Sequence, residues 1–271
     1  MGQKTTITAL IVTYNAERFI CGCLESLKWV DEIIVMDMFS TDRTIEIALK
    51  YTDKIIQDKE ENAEARTNLG IDRASSDWIL KILATERITD ALKVEIIKRI
   101  NSNENFEGYH IPRKNYFYGR FIKEKPGPLY LFKKGAGKYP CISGHEKIAI
   151  KGKVGRLKNF KIHYSAITIR EIIDKGNTYT SNDAKAVFAG HPRAFGGCKL
   201  PVYRANLYHL LYRPLWGFFA FYTIGKGYKY GMHGLIIALF SIFWNFIEIA
   251  KLWELQYKKK HNIKDELIPE D

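Results

Sequence analysis

Apolar residues occur along the first ninety positions in short, β-branched runs separated by amphipathic stretches. Residues 7–13 (ITALIVT), 32–37 (EIIVMD) and 78–83 (WILKIL) are apolar enough to be strands buried on both faces, and 54–57 is a shorter one. Between them, 16–27 place Phe19, Ile20, Cys23, Leu24 and Leu27 at helical spacing. Ser40-Thr41-Asp42 forms an N-terminal cap for a helix over 43–51, and 63–74 also has a helical pattern. Strand alternating with helix at this spacing predicts an α/β chain with a mostly parallel sheet and crossover helices on its faces. Ligands of such sheets lie outside the carboxyl ends of the strands. That rule draws Thr13-Tyr14-Asn15, Asp37 and Glu86 into one neighbourhood.

Beyond residue 111 the pattern turns to short strands and glycine- or proline-marked turns, with strands expected over 109–111, 129–133, 147–150 and 161–164. A helical pattern returns over 167–189, and 190–200 is a turn-rich break. Residues 203–222 are rich in aromatics with Arg204 and Arg213 interspersed, and 231–252 are strongly apolar. A bilayer span needs about 20 apolar residues, and His233, Asn245, Glu248 and Lys251 interrupt this one. An in-plane amphipathic helix pair at a membrane surface fits the composition. A buried hairpin against the α/β part of the chain, or a dimer contact, fits it too. Membrane-surface contact is the expectation, with Lys258-Lys259-Lys260 either touching anionic headgroups or simply solvated.

Charge sharpens this picture. The 271 residues are 46% hydrophobic and 27% charged, a globular composition, with a net charge of +12. Residues 111–164 hold 14 Lys/Arg against 2 Glu. A basic concentration of this kind suits an anionic partner: nucleotide phosphates, anionic lipid or nucleic acid. A solvated loop face is the plainer alternative. No recognition module accompanies the charge, so nucleic acid is not expected. The four cysteines lack zinc spacing and read as reduced thiols of a cytosolic protein. The first residues have no long apolar core before a small-residue cleavage site, so export is not expected. Neither G-x-G-x-x-G nor G-x-x-x-x-G-K-[ST] occurs, which argues against a dinucleotide oxidoreductase and a P-loop NTPase.

The segments ALIVTYNAERFICGCLESLKWVDEIIVMDMFSTDRTIEIA and NAEARTNLGIDRASSDWILKI resemble a family 2 glycosyltransferase with the GT-A fold. The C-terminal RPLWGFFAFYTIGKGYKYGMHGLIIALFSIFWNFIEIAKLWE is similar to the bacterial subgroup that builds lipopolysaccharide core or related envelope glycans. The resemblance implies a glycosyltransferase domain over 1–189, with a nucleotide-binding half (1–110) and an acceptor half (111–189). A helical, aromatic-rich membrane-surface region would follow over 190–271. It implies inverting transfer of a hexose from a nucleotide-sugar, commonly a UDP-sugar, to a lipid-linked or envelope glycan. The expected place is the cytoplasmic side, peripheral on the inner face of the cytoplasmic membrane. Thr13, Asn15 and Glu17 would line the nucleotide pocket, Asp37 would meet the uridine, and Arg66 and Asn68 would sit near the base or diphosphate. Helix capping remains an alternative for Asp42, and an exposed helix face for Arg66 and Asn68.

The chain departs from the family where β-strand chemistry meets the diphosphate. The usual Asp-x-Asp is Leu83-Ala84-Thr85 here, followed by Glu86-Arg87. Those aspartates hold a divalent cation, Mg²⁺ or Mn²⁺, against the leaving diphosphate, so the family's cofactor lacks its usual ligands. Arg43 stands where glycine is usual, Tyr130 where arginine is common, and Pro126-Gly127-Pro128 where a catalytic aspartate is expected. Three arrangements fit: a cation held weakly by Glu86 and water, Lys/Arg replacing the metal, or a binding or scaffold protein without turnover. In SGHEKIAI, His145 and Glu146 are the surviving candidates for the base that deprotonates the acceptor hydroxyl. A salt bridge to nearby lysines is the alternative for Glu146.

Overall fold

The structure, a computed structural model, describes residues 5–263 except 60–62, 103, 118, 124–126, 142–147, 167, 192, 196–197 and 201–202. Contacts divide the chain into two compact units, 1–165 and 166–271. The boundary drawn from sequence at 189/190 falls one helix later.

The first unit carries β1 (Ile7–Thr13), α1 (Glu17–Glu25), β2 (Glu32–Asp37), α2 (Thr44–Ala48), β3 (Ile55–Gln57), α3 (Ala63–Arg73), β4 (Trp78–Leu83), β5 (Glu86–Ile88) and α4 (Asp90–Ile100). There follow β6 (Gly108–His110), β7 (Arg113–Phe117), β8 (Arg120–Lys123), β9 (Leu129–Lys133), β10 (Gly137–Lys138), β11 (Ala149–Ile150), β12 (Val154–Arg156) and β13 (Lys161–Ala166). The central sheet runs β12-β6-β9-β4-β1-β2-β3. β4, β1, β2 and β3 are parallel, as the strand–helix alternation requires, and β9 runs antiparallel to both β4 and β6. A smaller sheet, β5-β13-β7-β8, stands beside it.

β1 shows why the central strands read as continuous apolar runs. Ala9 and Ile11 face a core formed with α1 and α4, while Leu10 faces a second core with Ile71 and Ala74 at the end of α3. A strand covered on both faces has no polar side to alternate with. α4, absent from the sequence expectation, is capped by Thr89, whose side chain accepts from the Leu92 amide at 3.3 Å. It buries Leu92, Ile96 and Ile100 on one stripe.

The second unit comprises α5 (Ile169–Phe188), a hairpin of β14 (Arg193–Phe195) and β15 (Cys198–Leu200), α6 (Leu207–Phe219) and α7 (Met232–His261). The turn-rich break expected over 190–200 is this hairpin. α5 and α7 approach closely at Gly176, where an added Cβ would lie 2.3 Å from a ring carbon of Trp244. The Lys251 ammonium of α7 donates to Asn177 Oδ1 at 2.7 Å, Thr180 Oγ1 at 2.9 Å and Ser181 Oγ at 2.8 Å, all on α5.

Candidate functional site

The parallel register sets the tips of β1 and β2 side by side: Thr13 pairs with Asp37. On the other flank of β1, Val12 pairs with Leu83 at the end of β4. The loops that leave β1 and β2 are stitched to one another. Asn15, in the left-handed region at φ 43°, accepts the Thr41 amide on Oδ1 at 2.8 Å and donates its own amide to Ser40 Oγ at 2.8 Å. Glu17 accepts the Arg43 amide at 3.1 Å, and its amide donates to Asp42 Oδ2 at 3.0 Å. Asp42 also takes the Thr44 amide at 3.0 Å, so it serves the turn into α2. Asp37 is fully buried and accepts from the Ser40 amide at 2.8 Å and from Gln57 Nε2 at 3.1 Å. Thr13 Oγ1 is buried without a hydrogen-bond partner among the described residues.

On α3, Arg66 is 1% exposed, so it does not sit on an open helix face. Asn68 pairs with a backbone segment: its Nδ2 donates to the Tyr139 carbonyl at 2.9 Å and its Oδ1 accepts the Tyr139 amide at 2.9 Å. The amide group therefore fixes residues 139–141 against α3. Lys81, the one charge inside β4, lies with its ammonium 4.3 Å from the centre of the Tyr139 ring. Burial pushes its pKa down to about 8 against the attraction of Glu64 and Glu86.

Glu86 opens β5, three residues past the end of β4, and is fully buried. Its Oε2 accepts the Leu83 amide at 2.9 Å and the Lys161 ammonium at 2.7 Å. Lys161 is equally buried, and its ammonium lies 3.2 Å from the centre of the Tyr130 ring. Burial raises the Glu86 pKa, but Lys161, His163 and the hydrogen bonds outweigh it and hold the carboxyl below its ordinary value. Burial lowers Lys161 to about 8, with Glu86 opposing. Glu86 is thus ionised at neutral pH and paired with a lysine of the basic segment. Its Oε1 has no hydrogen-bond partner among the described residues.

Next to it, the Arg87 guanidinium closes the turn, donating to the carbonyls of Ala84 at 3.1 Å, Glu86 at 2.8 Å and Phe19 at 2.5 Å. Sequence patterning alone could not find Lys161: the pair spans 75 positions, and a lysine in a basic stretch reads as solvated. Lys81 did carry a signal, a lone charge in an apolar strand.

The donor set at the end of β4 does not fit a divalent cation. Leu83, Ala84 and Thr85 offer no carboxylate, and the Glu86 oxygen that is engaged already holds an ammonium. No group of three or more His, Cys, Asp or Glu able to hold a metal occurs among the described residues. His145 and Glu146 lie outside the described residues. Two open clefts, about 800 and 670 Å³, sit at the opposite, amino ends of the strands around Ser75 and Asp77, or Asp31 and Lys54. Asp31, Glu32 and Asp77 in these clefts hold strand ends.

The sequence profile of glycosyl transferase family 2 matches residues 8–145, half the chain, and takes in the tips of β1, β2 and β4. The chain belongs to glycosyl transferase family 2. Over 98% of its length this glycosyltransferase is 25% identical to the lipopolysaccharide core biosynthesis glycosyltransferase LpsC of Rhizobium meliloti, covering 99% of that protein. It is 26% identical to an uncharacterised glycosyltransferase of Rickettsia felis, covering 95% of this chain and 93% of the relative. Among solved structures, S. aureus TarS 1–349 in complex with UDP-GlcNAc superimposes with a TM-score of 0.51 at 12% identity, covering 95% of this chain and 92% of that one. The fold is GT-A-like: a mostly parallel sheet flanked by helices, as the resemblance implied.

Proposed function

We propose that this family 2 glycosyltransferase moves a hexose from a UDP-sugar to a lipid-linked or envelope glycan, with inversion at the anomeric carbon. The observation that carries the donor end is the pairing of Thr13 with Asp37, with the buried Thr13 hydroxyl oxygen left unpartnered at the strand tips. A buried hydroxyl without a partner costs stability, and a ligand at the tips would supply the missing partner. The stitched loops of Asn15, Glu17 and Asp42 fix the mouth in one shape, which lowers the ordering cost of binding. TarS, which shares the fold, is described bound to UDP-GlcNAc, and LpsC is named for lipopolysaccharide core biosynthesis; both support the donor and acceptor class.

With no carboxylates to hold a cation at β4, the charge of the leaving diphosphate falls to the chain's own cations. Lysines and arginines of 111–164 are the source, and His145 or Glu146 is the proposed base. Membrane-surface placement is supported by the second unit. α6 exposes Leu207, Tyr208, Leu211, Tyr212 and Trp216, while α7 is long and apolar enough to cross a membrane. A helix with such a face can lie in the headgroup plane.

Calorimetric titration with UDP, with and without Mn²⁺, followed by a UDP-release assay with membrane extract, tests this. Metal-independent binding with turnover is expected. Binding without release would make the chain a nucleotide-sugar scaffold.

A further inference from the structure

A row of aromatic rings leaves the candidate site along the smaller sheet. It starts at Phe19, two residues past Glu17, and passes to Tyr164 on β13, with ring centroids 6.3 Å apart and planes at 30°. Tyr116 on β7 follows at 5.3 Å, then Phe121 on β8 at 5.3 Å. The Arg18 guanidinium lies 5.7 Å from the Phe19 ring centre and that of Arg87 lies 5.4 Å from Tyr164. The hairpin register sets Tyr116 directly opposite Phe121, so both stand on the same face of the sheet. Phe121 is 46% exposed and the other three rings are half-buried.

Cross-strand aromatic pairs alone would account for Tyr116 and Phe121. They do not account for a row that crosses four elements, carries two guanidiniums and begins on the first turn of α1, beside Glu17. Nor does the row suit a bilayer: of its four rings only Phe121 is exposed, and exposed Arg18 stands at its inner end. Rings spaced at 5–6 Å, with successive planes turned by 51° and 69° along the outer half and a cation over each of the two inner rings, offer a saccharide both ring faces and ring edges. Apolar C–H faces stack on aromatic faces, while guanidiniums hydrogen-bond carboxylate or phosphate substituents bidentately. The surrounding charge is of the matching sign, since β7, β8 and β13 belong to the basic segment 111–164.

We propose that Phe19, Tyr164, Tyr116 and Phe121, with Arg18 as the cation, form a binding platform for an anionic saccharide, the acceptor glycan, while Arg87 holds Tyr164 in place from the turn after β4. This rests on the transferase reading above, because the row becomes an acceptor track only if the strand tips hold the donor.

The test uses the full chain, trigalacturonate as the anionic probe and maltotriose as the neutral one, with affinities from ligand-observed NMR. Trigalacturonate should bind about fivefold or more tightly than maltotriose, with a preference that shrinks as salt rises. Phe121→Ala should weaken trigalacturonate by about fivefold, Phe121→Trp should retain it, and Arg18→Ala should erase the preference for the anionic probe. UDP affinity should stay the same in all three variants. Unchanged trigalacturonate affinity in Phe121→Ala overturns the proposal. So does failure of both probes to bind. Saccharide binding by a chain that does not bind UDP would instead remove the donor reading and leave the platform standing.

Discussion

The two ends of the parallel sheet differ in how their polar groups are satisfied. At the amino ends Asp31, Glu32 and Asp77 each hold a strand end. Asp77 Oδ2 accepts the Thr6 amide at 2.8 Å and the Thr6 hydroxyl at 2.9 Å, and Asp31 accepts the Ile7 amide at 2.9 Å. Glu32 gathers the Thr8 hydroxyl, the Lys54 ammonium at 2.6 Å and the Ser75 amide at 2.8 Å, tying together β1, β2 and the approaches to β3 and β4. At the carboxyl ends the loops are just as well tied, yet Thr13 Oγ1 and Glu86 Oε1 are buried without hydrogen-bond partners among the described residues. At the strand tips, a ligand can complete these two open hydrogen-bond accounts.

The largest effect that would break this contrast is at Glu86. Lys161→Met leaves a buried carboxylate without its cation and should cost about 3–5 kcal/mol in urea unfolding. The double variant Glu86→Leu with Lys161→Met should regain most of that loss, because a buried ion pair contributes little net stability. If the double variant is as unstable as the single one, the pair is not the unit that closes this end.

Next comes Glu32→Gln at the scaffold end. Burial raises the Glu32 pKa, but Lys54 and the hydrogen bonds of Ser75 and Thr8 prevail and bring it down from 4.5 to about 2. Its folded-state pKa is depressed, so its stabilisation is complete above pH 4.5 and lost as pH falls towards 2. The variant should be about 2 kcal/mol less stable at neutral pH, discounting for the exposed Lys54 partner. That gap should close on acidification. A constant gap across the acid range would contradict the clamp.

At the site end, Asp37→Ala removes the acceptor that holds Ser40 and Gln57, and should weaken UDP binding by about tenfold with a smaller change in stability. Unchanged affinity would place the nucleotide elsewhere. The smallest effect is a gain. Leu83→Asp with Thr85→Asp supplies the missing carboxylates, and Mn²⁺ should then tighten UDP binding by about threefold or more in the variant but not in the parent.

β1, β2, β4 and β9 were legible to the residue, because continuous apolar runs with abrupt polar ends allow one boundary. The tip residues followed from the same pattern, since parallel register leaves Thr13 and Asp37 no other arrangement. The identities of their partners did not follow. Lys161 reads as surface charge and is buried under Tyr130; Asn68 reads as a ligand donor and holds a backbone. The basic segment also overstated the surface charge. Lys133, Lys138 and Lys161 are paired with Glu107, Asp72 and Glu86, all from the first 110 residues. Long-range pairing of this kind leaves no periodicity to find.

The guanidinium of Arg87 serves two neighbours at once. It locks the turn that follows β4 to the first helix, and it lies against the ring of Tyr164. A molecule resting on that ring therefore leans on the same group that shapes the nucleotide end. Thermodynamic linkage makes such a lever work in both directions: whatever factor an occupied outer surface adds to UDP affinity, bound UDP returns to the outer surface.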